Sequence, residues 1–235
     1  MAFDKHLSVH DQPAYRAAEV AQMLALPAGT VKAWSFGHDY LHRDGRPKRF
    51  IKLIDVADVT AKLLSFANVC ELHVLAAMRR NHRLPMPVVR DSLDYVAGRL
   101  GLQRPLIARE FKTNGIGLFI EHAGTLVNVS QQGQTGLRGD FETALERIER
   151  NKQGHPVRLF PFTRTAASLG DQPPAVVIDP RLAFGRPALT RGGVTTAVVE
   201  DRFRAGDSPV DMAQDYGVAQ EDIWEAIRFE QRRAA

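Results

Sequence analysis

The 235-residue sequence has a single cysteine, Cys70, and no apolar run of membrane-spanning length. One thiol cannot close a disulfide within the chain, and a helix that crosses a bilayer needs about 20 predominantly apolar residues. The first 16 residues also lack the apolar segment of a secretory signal peptide. We therefore expect a protein of the reducing cytoplasm, in which Cys70 is a small buried apolar residue.

Recognisable catalytic and cofactor motifs are scarce as well. The sequence has no glycine-rich phosphate loop, no nucleophile elbow and no GxGxxG motif after a strand. His38 and His42 are spaced by one helical turn, but they lie in a predicted loop with no clear carboxylate or thiolate partner for zinc. The sequence thus predicts no enzyme, no metal site and no cofactor.

Positive charge is concentrated toward the N-terminus. Residues 1–102 contain 14 Lys and Arg against 10 Asp and Glu, residues 103–174 contain nine against seven, and residues 175–235 contain eight against ten. The net charge of +4 at pH 7 therefore combines a basic N-terminal part with an acidic C-terminal part. This asymmetry favours a nucleic-acid contact at one end of the chain and a different contact at the other.

Residues 14–50 carry the clearest pattern. Apolar residues recur there at spacings of three or four on two short segments, Val20 and Leu24, then Val31 and Trp34. Leu26-Pro27 separates the segments, which predicts a helix-turn-helix whose second helix can enter the major groove of DNA. The exposed polar residues expected on that second helix, and hence the candidates for base contacts, are Thr30, Lys32 and Ser35.

A basic loop centred on Asp44-Gly45 follows. A glycine turn between two short extended arms predicts a β-hairpin, and cations on such a wing can contact DNA phosphates. The candidate phosphate contacts are Arg43, Arg46, Lys48 and Arg49. The pattern leaves an alternative open, because paired short helices and solvated basic loops also occur in proteins that never bind nucleic acid.

The rest of the chain divides into a connecting region and a C-terminal module. After helices over about residues 54–83 and 88–100, residues 115–130 alternate around a glycine-containing loop, which predicts a β-hairpin. Asp140 is expected to cap a helix, and residues 155–164 are expected to be extended. We interpret residues 103–166 as structural, either joining the two ends or carrying a dimer contact, and residues 167–174 as a linker.

Residues 175–235 predict three short helices. Gly206 and Gly217 are the expected stops, and Ser208 is the expected cap of the second helix. The third helix holds four carboxylates, which would repel phosphates. We therefore assign this helix to protein contact, and the alternative is that its apolar residues close a small core. The candidate contact residues are Trp224, Ile227, Arg228 and Phe229.

Two stretches of the chain resemble known families. Residues 15–100 are similar to MerR-type winged helix-turn-helix domains through YRAAEVAQMLALPAGTVKAW, LLSFANVCELHVLAAMRR and VVRDSLDYV. Residues 176–229 resemble a small antitoxin domain long described as of unknown function. The elements that match it are Asp179-Pro180 after a strand, Gly185-Arg186-Pro187, Gly206-Asp207-Ser208, Tyr216-Gly217 and Glu221-Asp222.

Together the two stretches resemble the long VapB-type antitoxins of type II toxin–antitoxin systems. The resemblance implies a partner toxin of the VapC kind, a PIN-domain ribonuclease that uses magnesium or manganese. It also implies repression of the shared operon by an antitoxin dimer or a toxin–antitoxin complex. The alternatives are a MerR-like transcription regulator whose C-terminal half senses a small molecule, and an interaction protein that binds no DNA.

The expected fold is accordingly mainly α with small β elements. A winged helix-turn-helix would occupy residues 1–102, a β-hairpin region the middle of the chain, and a tri-helical, helix-turn-helix-like bundle residues 175–235.

Overall fold

The computed structural model describes residues 8–42, 44–81, 84–127, 130–164 and 169–232. These residues form a mainly helical fold with small antiparallel strand pairs, as predicted. The helices are α1 Ala17–Leu24, α2 Ala28–Phe36, α3 Phe66–Asn81, α4 Met86–Leu100, α5 Ile116–Leu126, α6 Gln131–Glu146, α7 Thr196–Ala205, α8 Pro209–Tyr216 and α9 Gln220–Gln231. Within the described ranges no helix has both the length and the apolar character that a bilayer crossing requires.

The strands are short and pair two by two. They are β1 Tyr15–Arg16, β2 His38–Leu41, β3 Pro47–Phe50, β4 Leu63–Leu64, β5 Ile148–Arg150, β6 Pro156–Leu159, β7 Val176–Val177 and β8 Ala188–Leu189. The antiparallel pairs are β1 with β4, β2 with β3, β5 with β6, and β7 with β8.

The first two helices lie where the apolar spacing predicts them. The backbone N–H of Arg16 donates to the Glu19 carboxylate at 2.7 Å, which satisfies one free amide at the start of α1. Ala25 adopts a left-handed conformation (φ 50°) and ends this helix, and α2 begins after Pro27. Val31 and Trp34 of α2 are buried against the main core.

Helix α3 lies at the centre of that core, and most of its side chains are buried. The expected helix over residues 54–83 begins only at Phe66, because the Ser65 hydroxyl accepts the Asn68 backbone N–H at 3.2 Å and caps the helix there. The preceding residues form an irregular segment in which Val59 is 64% exposed. Cys70 is fully buried, as expected of a small apolar residue.

The β-hairpin predicted over residues 115–130 is wrong, because most of this segment is helix α5. Its buried residues, Ile116, Phe119, Ile120 and Ala123, follow helical rather than alternating spacing. Helix α6 begins at Gln131 instead of Asp140, since the Ser130 hydroxyl accepts the Gly133 N–H at 3.1 Å. The middle region does contain a hairpin, but it is formed by β5 and β6, within which residues 156–159 are extended as expected.

The C-terminal helices surround a second, smaller core, whose buried residues include Val199, Met212 and Ile223. Their predicted ends are confirmed: Gly206 and Gly217 are left-handed, and the Ser208 hydroxyl accepts the Asp211 N–H at 3.1 Å. The predicted linker is described from residue 169 onward. Gln172 in it is buried and exchanges two hydrogen bonds, of 2.9 and 3.0 Å, with the backbone of Arg164. The domain boundaries proposed above stay predictions.

Candidate functional site

The outer surface of α2 is smaller than the sequence suggests. Lys32 is exposed and Thr30 is half-buried. Both side chains therefore keep the accessible surface that a contact with a DNA base requires. The expectation that Ser35 is exposed is wrong, since its accessible surface is 0%. Ser35 lies one turn after buried Val31, and side chains four residues apart share a face of a helix. Ser35 is therefore removed from the base-contact candidates.

The hairpin of β2 and β3 is exposed on both faces and pairs Tyr40 with Lys48 and Asp39 with Arg49. Neighbouring residues of a strand point to opposite faces, so Lys48 and Arg49 lie on different sides of the hairpin. Arg49 lies 3.8 Å from the Asp39 carboxylate, and an ion pair this exposed contributes little to the stability of the fold. Arg46 is exposed at the turn. The predicted contact Arg43 lies outside the described residues.

The base of this hairpin is fixed to the body of the protein. The Phe50 ring stacks on His38 with centroids 5.5 Å apart, and the Arg90 guanidinium of α4 lies 5.3 Å from its centre. A side chain at Gly37 would collide with the Phe50 carbonyl oxygen, which is 2.6 Å from the position a Cβ would take. The Leu53 N–H also donates to the Trp34 carbonyl at 2.7 Å, so the hairpin has a set orientation relative to α2.

A further cation lies beside α2. The guanidinium of Arg79 is 5.7 Å from the centre of the Trp34 ring, and Arg79 is exposed. The cluster of arginines after residue 78 is visible in the sequence, but its position next to α2 follows only from the packing of α3. Together α2, the hairpin and Arg79 form a basic surface in the N-terminal part of the chain.

Next to the hairpin base is a cavity of about 220 Å³, lined by residues 51–55 directly after the hairpin, by Glu71 of α3, by residues of α4 that include Arg90 and Leu93, and by residues between 103 and 106. Glu71 is only 3% exposed and accepts a 2.9 Å hydrogen bond from Asn68 Nδ2. Burial raises the pKa of Glu71 to about 7, although nearby Arg104 and this hydrogen bond act in the opposite direction. The cavity therefore contains a carboxyl group that titrates close to neutral pH.

Two of the four residues assigned to partner contact are buried. Ile227 belongs to the C-terminal core and is 2% exposed, and Phe229 is 4% exposed. The Arg232 guanidinium lies 4.0 Å from the centre of the Phe229 ring and donates to the carbonyls of Phe162 and Met23, to the latter at 3.1 Å. The far end of α9 therefore packs on the rest of the chain, which corrects Ile227 and Phe229 from contact residues to core residues.

The carboxylates of α9 are also used within the chain. Glu225, with a fully buried side chain, accepts hydrogen bonds from Thr163, Arg164 and Arg228, and exposed Glu221 lies 3.3 Å from Arg164 and 2.8 Å from Arg228. Burial acts to raise the pKa of Glu225, but the hydrogen bonds from Arg164 and Thr163 outweigh it and the pKa is lowered. Arg228 is part of this network and 43% exposed.

Trp224 keeps part of its surface accessible. It is half-buried, with its ring edge-on to Phe203 at 5.7 Å. Trp224 and Arg228 thus stay predictions as partner contacts.

No group of three or more His, Cys, Asp and Glu side chains in the described ranges is arranged to hold a metal ion. His38 stacks on Phe50, and His42 lies 3.0 Å from the Asp44 carboxylate. Both histidines therefore contact residues of the β2–β3 hairpin.

Residues 176–229 match a family model described as "Protein of unknown function (DUF433)". This segment contains β7, β8, α7, α8 and all but the last two residues of α9. Over 97% of its length the chain is 28% identical to "Putative antitoxin VapB45" of Mycobacterium tuberculosis, of which it covers 98%. It is also 23% identical to "Uncharacterized protein Rv2308" of the same organism, over 94% of this chain and 92% of that one.

The fold is also similar to a solved structure. The X-ray crystal structure of Rv2018 from Mycobacterium tuberculosis superimposes with a TM-score of 0.65 at 24% sequence identity. The match covers 94% of this chain and 100% of the other. A shared fold therefore extends over both the N-terminal and the C-terminal parts.

Proposed function

We propose that this chain is the antitoxin of a type II toxin–antitoxin system. In this proposal it neutralises a VapC-like PIN-domain ribonuclease, binds operator DNA as a homodimer and represses its own operon. The observation that carries the proposal is the similarity, from end to end, to a relative named as an antitoxin. Residues 1–102 would bind DNA, residues 103–166 would join the ends, and residues 175–235 beyond the linker would contact protein.

The basic surface supports the DNA-binding part of the proposal. Helix α2 has no side-chain cap, and Pro27, Ala28 and Gly29 at its start are exposed, so its first amides are accessible to a phosphate. Lys32 on the same helix is the leading candidate for a base contact, with Thr30 beside the phosphate-facing start. The hairpin extends from the end of this helix, as a wing would beside a recognition helix.

The test of DNA binding is the dependence of operator affinity on salt. Replacing Arg46, Lys48 and Arg49 with alanine removes up to three phosphate contacts at about 0.9 each, so the slope of log affinity against log salt should fall by roughly 3. Because Lys48 and Arg49 lie on opposite faces, a fall close to 2 would mean that the hairpin contacts DNA with one face. An unchanged slope would contradict the assignment.

A matched control removes the same charge elsewhere. Arg99, Lys112 and Arg138 are exposed on other elements, and their triple alanine variant should leave the slope as in the wild type. If both triple variants weaken binding equally, net charge alone is responsible and the hairpin has no special role.

Neutralisation requires a direct test with the toxin. When the full chain is co-expressed with the product of the adjoining gene, the two proteins should co-purify. The full chain should also suppress the cleavage of RNA by the toxin in the presence of magnesium. Cleavage by the toxin alone is the control. Capture without suppression, or no capture, would contradict the proposed role.

A second candidate function is a MerR-like regulator that senses a small molecule, with the sensing site in the N-terminal part of the chain instead of the C-terminal half expected from the sequence. The cavity next to the hairpin base favours this candidate, because a ligand there would touch both α3 and the segment directly after the hairpin. Operator affinity would then depend on added small metabolites from a cell extract, whereas an antitoxin would respond to its toxin.

A further inference from the structure

Residues 182–186, the Phe184 loop, have an unusual backbone. Ala183, Phe184 and Gly185 are three consecutive residues with positive φ, of 48°, 57° and 75°. This left-handed region is disfavoured for residues that carry a side chain, and bulky residues are rare in it. The surrounding structure must therefore hold Phe184 in place.

Contacts beneath the loop supply that restraint. A side chain at Gly185 would collide with the hydroxyl of Tyr15, a residue of β1 that is 4% exposed. The Gly185 N–H donates to the Leu182 carbonyl at 2.9 Å, and the Arg186 N–H donates to the Ala183 carbonyl at 3.1 Å. The loop is thus a closed turn seated on the N-terminal part of the chain.

The side chain that this turn presents is in water. Phe184 is 96% exposed, more than any other large apolar side chain in the described ranges. Neither the strained backbone nor the exposed ring stabilises the folded chain. An aromatic side chain presented on a restrained backbone suits a binding anchor, because the backbone loses little freedom when the ring enters a pocket.

The charges around the loop indicate the chemistry of the partner. Arg181 precedes the loop, Arg186 is its last residue, and both are exposed; the sequence has no acidic residue between Asp179 and Glu200. Asp179 itself is 9% exposed and accepts a 3.0 Å hydrogen bond from Arg158. The segment that carries Phe184, from Pro180 to Val199, is therefore cationic, and a surface complementary to it would carry carboxylates.

A second turn adds to this charge. A Cβ at Gly193 would lie 3.6 Å from Leu182 Cδ1, which places the exposed Arg191 turn beside the Phe184 loop.

We propose that the Phe184 loop is the main contact with the toxin, with Phe184 inserted into an apolar pocket rimmed by carboxylates. This inference rests on the proposed function and assigns the main contact to this loop, with Trp224 and Arg228 of α9 as further predicted contacts. Single-stranded nucleic acid is usually bound along a groove in which several aromatic side chains stack on the bases. Phe184 is instead one aromatic side chain on a turn, which favours a protein partner.

The test measures the Kd of the full chain for the purified product of the adjoining toxin gene. Phe184→Gly retains the left-handed backbone without strain, so the melting temperature should stay level or rise while the Kd increases at least about 30-fold. Val198→Ala, which shortens another exposed apolar side chain of the same module, should change the Kd less than about threefold. Arg181→Glu with Arg186→Glu should lower the association rate, most strongly at low salt.

Each other outcome has a distinct meaning. If wild type binds and Phe184→Gly binds equally well, the Phe184 contact is refuted while the antitoxin role stands. If wild type does not bind the toxin, the proposed function fails and this inference with it. A clear fall in the melting temperature of Phe184→Gly would show that Phe184 is structural. Weaker binding of a fluorescent single-stranded oligonucleotide, with toxin binding unchanged, would replace the protein contact with a nucleic-acid contact.

Discussion

Replacement of Glu71 by glutamine should change how the stability of the protein depends on pH. Glu71 accepts its hydrogen bond from Asn68 Nδ2, and a glutamine amide oxygen can accept the same bond. Asn68 in turn donates to the Asp55 carbonyl at 2.7 Å and accepts the Ala57 N–H at 3.1 Å, which holds the segment between the hairpin and α3. The substitution therefore removes one ionisation with little change in structure.

The size of the effect follows from the pKa of Glu71, which burial raises from 4.5 to about 7. Between these values the folded state holds the proton more tightly than the unfolded chain does. Stability from this group is therefore fully present below about pH 4.5 and is lost as the pH rises through 7. At about 1.36 kcal/mol per pH unit, the difference between 4.5 and about 7 corresponds to a total loss of roughly 3–4 kcal/mol, most of it between pH 5 and 8.

Urea unfolding at several pH values between 5 and 8 measures this loss. The free energy of unfolding of wild type minus that of Glu71→Gln should fall by roughly 2–3 kcal/mol across this range. Glu146→Gln is the control, since the Glu146 side chain is 64% exposed beside Lys112, lies outside the group of charges that act on Glu71, and should leave the pH dependence close to that of wild type. A constant difference between wild type and Glu71→Gln would refute the raised pKa.

Three further substitutions test the packing of the two ends, each by urea unfolding. Gly185→Ala should lower the free energy of unfolding by about 2 kcal/mol or more, because the new side chain collides with Tyr15 and residue 185 has a positive φ. The loss should be smaller in a Tyr15→Phe background, and equal losses in both backgrounds would contradict the collision. Glu225→Ala should lose about 2–3 kcal/mol, because it leaves the buried Thr163 hydroxyl without its acceptor and removes the buried partner of Arg164. Glu221→Ala removes an exposed partner and should lose under about 1 kcal/mol, so similar losses would contradict the difference in burial. Trp34→Ala should lose about 3–5 kcal/mol, and an unchanged stability would contradict its burial.

Several features could be predicted because their causes lie within a few residues. The break at Leu26-Pro27 and the left-handed Gly206 and Gly217 depend on local backbone preferences, as does the Ser208 cap. The hairpin turn and its cations are also local, so the basic character of the N-terminal part follows from the sequence. The prediction for the segment of α5 was wrong because its short apolar run fits both an alternating and a helical spacing.

The faces of the helices, by contrast, were decided by residues distant in the chain. Phe229 is buried because Arg232 reaches the carbonyls of Phe162 and Met23, and the Glu225 side chain is buried because Thr163 and Arg164 come to it from the middle region. The sequence by itself thus determined the short helices and helix ends that local turn and cap residues specify, and where the charge lies. Only the tertiary structure decided which side chains remain on the surface, because burial depends on contacts between segments that no local pattern encodes.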